Sequence, residues 1–161
     1  MAFPLQEDRT YFVTSVTIGR KLLFRSNLFC ELLLDVFREN RSKQRFLVHE
    51  FVIMPNHFHA ILTPVHDTSL EKAMQCVKGG FSYRAKNELR FAFDIWQPGY
   101  APHRIKDTED YAIHVEYIWG NPVRARLVLR QQQYPYSSAG RRDLVDPAPA
   151  WTQKKFVVGA D

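Results

Sequence analysis

The chain has 161 residues, of which 45% are hydrophobic and 24% charged, and these values predict one globular domain with a substantial core. We see neither an apolar run long enough to span a membrane nor a segment resembling a signal peptide. We therefore expect a cytoplasmic protein with Cys30 and Cys76 as reduced thiols and no membrane partner. The 22 Lys and Arg residues outnumber the 17 Asp and Glu residues, and this net charge of +5 favours a polyanionic partner, nucleic acid first.

The first part of the chain predicts a strand, a helix and a second strand. Residues Arg9–Ile18 are rich in β-branched and aromatic side chains, which is typical of a strand. Ser26 or Asn27 can cap a helix that ends near Asn40, because the apolar residues between follow helical spacing. Phe46–Met54 is the second predicted strand.

The most informative stretch is Met54–Leu62, in which two histidines lie two residues apart in an alternating apolar run. Pro55 and Asn56 form a tight connection, so the strand before them and the strand after them make a hairpin. Residues two apart on a strand share a face, so His57 and His59 stand side by side and can bind one metal ion. A metal site needs at least one further ligand, so a strand edge with two histidines near solvent stays open as the alternative.

The register of this hairpin decides which other side chains join the two histidines. If Met54 pairs with His57, Glu50 lies on the same face and is a minor candidate ligand. In that register His49 lies on the opposite face, where packing in the core or at an edge is the simpler interpretation.

The sequence after the hairpin predicts a long helix and a pair of short strands. Thr68 and Glu71 have the spacing of a capping box, which opens a helix that continues to about Leu89. Ile95–Gln97 and His103–Ile105 flank a Pro-Gly loop and are the two short strand segments.

A third helix carries a polar face with a tyrosine. Asp107 caps this helix, and we expect Gly120 and Pro122 to stop it. Tyr117 and Asn121 are four residues apart and therefore share one face. The apolar face carries Tyr111, Val115 and Ile118.

The element order β-α-β-β-α-β-α predicts a ferredoxin-like (RRM-like) α+β fold. It has an antiparallel sheet with helices on one face, followed by a C-terminal helix that bears the tyrosine. We expect one domain over residues 1–142, followed by a linker and basic tail over residues 143–161.

Two segments together identify a family resemblance. The histidine pair follows Met54-Pro55-Asn56, and the later segment runs Tyr117-Ile118-Trp119-Gly120-Asn121-Pro122-Val123-Arg124-Ala125. This combination resembles the REP-associated tyrosine transposases, which are relatives of the single-tyrosine HUH transposases. The resemblance extends over nearly the whole chain through Lys78-Gly79-Gly80-Phe81, Trp96-Gln97-Pro98-Gly99-Tyr100, His103-Arg104-Ile105 and Tyr134-Pro135-Tyr136-Ser137-Ser138. The residues that depart from the usual pattern of the family are Arg126 and the pair Trp119-Gly120. Neither departure affects a residue that the resemblance implies to be a reacting group.

The resemblance implies a metal-dependent endonuclease and strand transferase that acts on single-stranded DNA near palindromic hairpins. Tyr117 is the implied nucleophile, and it would form a 5′-phosphotyrosine. His57, His59 and Asn121 are the implied metal ligands. Imidazole ligands by themselves favour zinc or another transition metal, whereas the resemblance implies Mg²⁺ or Mn²⁺.

Basic residues near these segments are candidates for DNA contact, although a charged helix face is often only solvated. They are Lys78, Arg84, His103, Arg104, Arg124 and Arg126. The expected partner is single-stranded or hairpin DNA, and the chain acts as a monomer or homodimer. Two alternatives stay open: a nucleic-acid-binding protein that no longer cuts, and a metallohydrolase in which Tyr117 is structural.

Overall fold

The structure, a computed structural model, describes residues 9–152, and over this range three α-helices surround a four-stranded antiparallel sheet. The elements are β1 (Tyr11–Val16), α1 (Asn27–Ser42), β2 (Phe46–Met54), β3 (His57–Pro64), α2 (Leu70–Leu89), β4 (Ala101–Arg104) and α3 (Thr108–Arg124). The strands follow the order β2-β3-β1-β4 across the sheet, which is the ferredoxin-like arrangement. The predicted fold class is confirmed. No helix among the described residues is both long enough and apolar enough to cross a membrane.

The two faces of the sheet bury different partners, because neighbouring residues of a strand project to opposite sides. Helices α1 and α2 pack beside each other on one face, where Phe37 of α1 lies 5.6 Å from Phe58 of β3 between ring centroids. Helix α3 covers the other face, where His114 lies 4.7 Å from Phe12 of β1. Phe12 also stacks on His59, so the tyrosine-bearing helix lies on the face to which the histidine pair projects.

The hairpin between β2 and β3 has the predicted two-residue connection. Met54 pairs with His57 and Val52 pairs with His59. Strand β1 pairs with the other side of β3, where Thr14 is opposite His59. The histidine pair therefore lies on an inner strand, with hydrogen-bonded neighbours on both sides.

A β-bulge between Val48 and Glu50 corrects the predicted position of His49. The extra residue shifts the alternation, so His49 does not turn away from the face that carries the histidine pair. Its Nε2 lies 2.7 Å from Oγ1 of Thr63, and its ring contacts Tyr111 of α3. His49 is buried, as expected, but under α3.

The start of α2 differs from the prediction by one residue. Ser69, and not Thr68, is the N-cap, and its side chain accepts a hydrogen bond from the amide of Lys72. The residue whose hydroxyl faces the free amides of the first turn is the cap, even where the sequence pattern points to its neighbour. At α1, Ser26 occupies the N-cap position without a hydrogen bond from its side chain.

The two short strand segments predicted around the Pro-Gly loop are only partly formed. Ala101–Arg104 is a regular strand, and it pairs with β1. Trp96 makes a single isolated bridge with Thr17.

Helix α3 begins as predicted but ends later. Asp107 caps it by accepting a hydrogen bond from the amide of Asp110. The helix then passes through Gly120 and Pro122 and ends at Arg124. A proline inside a helix removes one donor. The amides that follow still make backbone bonds, since Ala125 bonds the Asn121 carbonyl and Leu127 bonds the Pro122 carbonyl.

The segment after α3 returns to β2. The Tyr134 hydroxyl donates to the carbonyl of Ile53 at 2.6 Å, and Ser137 forms an isolated bridge with Val52. Residues 143–152, which belong to the predicted linker and basic tail, also contact the domain: Asp146 accepts from the amide of Val48 at 2.8 Å. The rest of the predicted tail, residues 153–161, lies outside the described residues.

Candidate active site

The histidine pair at the start of β3 has one nitrogen of each ring held by the protein. The ring centroids of His57 and His59 are 4.8 Å apart. Nδ1 of His57 lies 2.6 Å from Oδ1 of Asn56, and Nδ1 of His59 lies 2.7 Å from Oγ1 of Thr14. Such bonds fix the ring orientation and leave Nε2 of each ring as the atom that can bind a ligand.

The surroundings keep both imidazoles neutral. Burial lowers the pKa of His57, and the guanidinium of Arg20 lowers it further. Burial lowers the pKa of His59 to about 3, with smaller contributions from His57 and Arg124. A neutral imidazole has the free lone pair that a metal ligand needs.

Tyr117 extends from α3 toward His59 of β3 and Phe12 of β1. Its ring centroid is 5.3 Å from that of His59 and 6.0 Å from that of Phe12. The side chain is 46% exposed, so the phenol is open to a substrate from solvent. Arg124 lies against the same ring, with its guanidinium carbon 4.7 Å from the centroid.

Asn121 supplies a polar group that the protein leaves without a partner. Among the described residues, the buried side-chain atoms without a hydrogen-bond partner include Nδ2 of Asn121 and Nε2 of His59. Buried polar atoms are rarely left unsatisfied, so two of them on the proposed ligand residues call for a bound group. A half-turn of the amide presents the Asn121 oxygen in the same position. The side chains therefore fit a divalent cation.

A cavity of about 310 Å³ lies along β1, the strand that pairs with the strand of the two histidines. Its lining consists of Thr14, Val16, Gln97, Pro98, Gly99, Tyr100 and Ala101. Thr14 and Val16 are the β1 residues opposite His59 and His57. The loop over residues 97–100 thus forms one wall beside the site, with Gly99 in a left-handed conformation at φ 77°.

The sequence did not single out Phe12 and Thr14. Both follow the alternation of β1, which was predicted to be a strand. Their contacts with His59 depend on the pairing of β1 with β3, which alternation within one strand does not specify.

The six predicted DNA contacts lie in two groups. His103 and Arg104 are on β4 and Arg124 ends α3, while Arg126 follows α3 with a left-handed φ of 60°. Lys78 and Arg84 are on α2, and their donors are bound within the protein. Lys78 donates to the carbonyls of residues 97 and 99, and Arg84 pairs with the acids at 35, 39 and 88.

A second cluster of possible metal ligands lies at the junction of β4 and α3. The ligand atoms of His103, Asp110 and His114 all lie within 4.8 Å of one another. Nε2 of His103 is 2.9 Å from a carboxylate oxygen of Asp110. The two imidazoles are stacked at 4.6 Å with 21° between their planes. Because an imidazole binds a metal in its own plane, one ring would have to turn before both could share an ion.

Comparisons with known proteins agree on one family. The family model described as "Transposase IS200 like" matches residues 6–121. The REP-associated tyrosine transposase of Escherichia coli (strain K12) is 32% identical over 133 residues, which cover 82% of this chain and 77% of that protein. A solved structure of a REP-associated tyrosine transposase bound to a REP hairpin superposes with a TM-score of 0.72. It is 25% identical, and the match covers 91% of this chain and 87% of the other.

Proposed function

Because the chain belongs to the IS200-like transposase family and, within it, to the REP-associated tyrosine transposases, which cut and rejoin DNA, we propose that it cuts single-stranded DNA beside a hairpin. The observation that carries the proposal is the position of Tyr117. This exposed tyrosine ring lies against His59, whose buried Nε2 has no partner among the described residues.

The proposed nucleophile is the phenolic oxygen of Tyr117. It attacks the scissile phosphorus, the bond from phosphorus to the 3′ oxygen breaks, and the DNA is left with a 5′-phosphotyrosine and a free 3′-hydroxyl. The covalent bond conserves the energy of the phosphodiester, so a second 3′-hydroxyl can reverse the step and join a different strand. The phenol must lose its proton during the attack, since an ordinary tyrosine has a pKa of about 10.

His57, His59 and Asn121 are the proposed ligands of Mg²⁺ or Mn²⁺. When bound, such an ion polarises the scissile phosphate and stabilises the charge of the leaving oxygen. The protein prepares this site by holding Nδ1 of each histidine in a hydrogen bond, by keeping both rings neutral and by burying the Asn121 amide without a partner.

The proposed substrate is a DNA hairpin with a single-stranded flank. The related structure holds a REP hairpin, and the net charge of +5 suits a polyanion. The cavity beside Thr14 and Val16 has a tyrosine and a proline in its wall, and aromatic side chains stack well on unpaired bases. We therefore propose that the unpaired flank enters between α3 and the loop over residues 97–100.

A covalent-adduct assay tests this function. Labelled hairpin oligonucleotides with single-stranded flanks are mixed with the protein in Mn²⁺ or in chelator, then separated under denaturing conditions. We expect a metal-dependent protein-linked band that disappears in Tyr117→Phe. The matched control is Tyr83→Phe on α2, since Tyr83 is 71% exposed and far along the chain from the site. Cleavage without an adduct would indicate a metallohydrolase, and binding that chelator does not alter, without cleavage, would indicate a DNA-binding protein that no longer cuts.

A further inference from the structure

A buried carboxylate joins three separate segments behind the tyrosine. Glu50 of β2 is 3% exposed. Its Oε1 accepts hydrogen bonds from Nε1 of Trp119, Oγ of Ser138 and a guanidinium nitrogen of Arg142, each at 2.7 Å. A charge removed from water in this way is costly unless donors satisfy it, and charge-assisted bonds to fixed donors are short and strong. The carboxylate therefore ties β2 to α3 and to the segment that follows α3.

Trp119 is the contact that matters for the active site. It lies two residues after Tyr117 and two before Asn121. Helix residues two apart point in directions that differ by about 200°, so Trp119 and Tyr117 lie on nearly opposite sides of α3. Buried apolar residues such as Ile118 also anchor this part of the helix, but the hydrophobic effect that buries them has no preferred direction. A hydrogen bond does have one, so the Trp119 bond limits rotation of α3 about its axis.

Arg142 makes this anchor stiffer. Its guanidinium carbon lies 5.7 Å from the Trp119 ring while the same group donates to Glu50 and to the Ser138 carbonyl. Ser138 in turn bonds the Phe51 backbone through its hydroxyl. The indole is therefore held at its N–H and on its face by groups that are themselves bonded to β2.

We propose that Glu50 is a positioning residue, which sets the rotation of α3 and thereby holds Tyr117 and Asn121 in line with His57 and His59. The inference rests on the proposed function, because it names what aligns the nucleophile of that reaction. A phenolic oxygen lies roughly 8 Å from a helix axis, so a rotation of about 7° moves it by about 1 Å. A misplacement of that size can cost about 100-fold in rate. Glu50 was a minor candidate ligand from the sequence, and the structure assigns its carboxylate to this network.

The test separates alignment from binding. Trp119→Phe keeps an aromatic ring and removes the N–H donor, while Glu50→Gln keeps an acceptor oxygen and removes the charge. The control is Trp151→Phe, because Trp151 also contacts α3 at Tyr111 but its N–H has no hydrogen-bond partner among the described residues.

For Trp119→Phe we expect the single-turnover rate of adduct formation at saturating hairpin DNA to fall about 10- to 100-fold. We expect the Kd for the hairpin to change less than about threefold, because the DNA contacts stay in place. Glu50→Gln should lie between Trp119→Phe and the control.

A second readout does not depend on cutting. Amide hydrogen exchange over residues 113–121 should be faster in Trp119→Phe than in the parent and in Trp151→Phe, with urea unfolding run on all variants to account for global stability. A Trp119→Phe protein that reacts at the parent rate, or whose α3 amides exchange like those of the parent, would overturn the inference. If the parent itself forms no adduct on any hairpin, the proposed function fails, and the exchange experiment still decides whether Glu50 holds α3.

Discussion

Arg124 places a positive charge against the proposed nucleophile. Its guanidinium lies over the Tyr117 ring at 4.7 Å, and it donates to the Tyr117 carbonyl at 2.5 Å. Gly120 makes room for this side chain, because a Cβ there would lie 2.5 Å from an Arg124 nitrogen. A cation over an aromatic face stabilises negative charge that develops on the ring oxygen, so Arg124 is suited to assist the loss of the phenolic proton.

Arg124→Gln should therefore slow adduct formation at saturating DNA by about tenfold. A change of that size in rate corresponds to the free energy of a partly exposed cation–π contact. The comparison is Arg126→Gln, which alters a nearby exposed arginine that lies beyond the helix. We expect Arg126→Gln to weaken DNA binding and to reduce the salt dependence of that binding. The rate of adduct formation at saturating DNA should stay near that of the parent. An Arg124→Gln protein with the parent's saturating rate would show that this residue acts only in binding.

At the scale of elements, Lys78 connects α2 to the loop that walls the cavity. Its ammonium donates to the carbonyls of Gln97 and Gly99, and burial lowers its pKa. The Trp96 indole donates back to the Lys78 carbonyl at 3.0 Å. The basic character of Lys78 predicted a phosphate contact, but these bonds give the ammonium a second role as the clamp of the loop.

The two roles differ in their salt dependence. We expect Lys78→Met to weaken hairpin binding because the loop loses its clamp, while the slope of log K against log salt stays that of the parent. Arg104→Gln, at an exposed residue of β4, should instead lower that slope by about one phosphate contact. Binding isotherms at several salt concentrations measure both. A lower slope for Lys78→Met would return Lys78 to the phosphate contacts.

Local patterns predicted most of the elements but not all of their ends. The alternation around His57 and the helical spacing after Asp107 depend on neighbours along the chain, and both elements formed where expected. Helix α3 continues past Pro122 because the proline removes only one donor, while the amides of Ala125 and Leu127 still bond the carbonyls of residues 121 and 122. A sequence rule that treats each proline as a stop takes no account of the bonds that remain.

At the scale of the whole molecule, the sequence predicted which residues could form the site but not how they meet. The spacing of His57 and His59, and of Tyr117 and Asn121, placed each pair on one face of its own element. The contact of Tyr117 with His59 depends on how α3 is rotated over the sheet. That rotation depends on Glu50 and on the segment after α3, which lie far apart in sequence. Long-range packing of this kind leaves no local pattern.

The burial of His49 also depends on long-range packing, and it makes the free energy of unfolding depend on pH. The bulge in β2 buries the His49 side chain where β3, α3 and the C-terminal segment meet. Its Nε2 is hydrogen-bonded to the Thr63 hydroxyl and its Nδ1 to the Pro147 carbonyl. Burial lowers its pKa and outweighs the Pro147 carbonyl and the nearby carboxylates, which favour the charged form. Since the unfolded imidazole has a pKa of about 6.5, the unfolded chain binds a proton below that pH that the folded chain does not. The free energy of unfolding must then decrease as the pH falls below about 6.5.

We expect His49→Gln, which can keep both hydrogen bonds, to remove part of this decrease. Between pH 7 and pH 5 the parent should lose roughly 1 kcal/mol more than the variant, measured by urea unfolding at each pH. His66→Asn is the control, because His66 is exposed on a loop and Asn tolerates its left-handed φ of 55°. The difference between parent and His49→Gln isolates His49 from the other buried histidines. Equal pH dependence in the two proteins would mean that the folded chain protonates His49 as readily as the unfolded one, and that the junction under the bulge admits water.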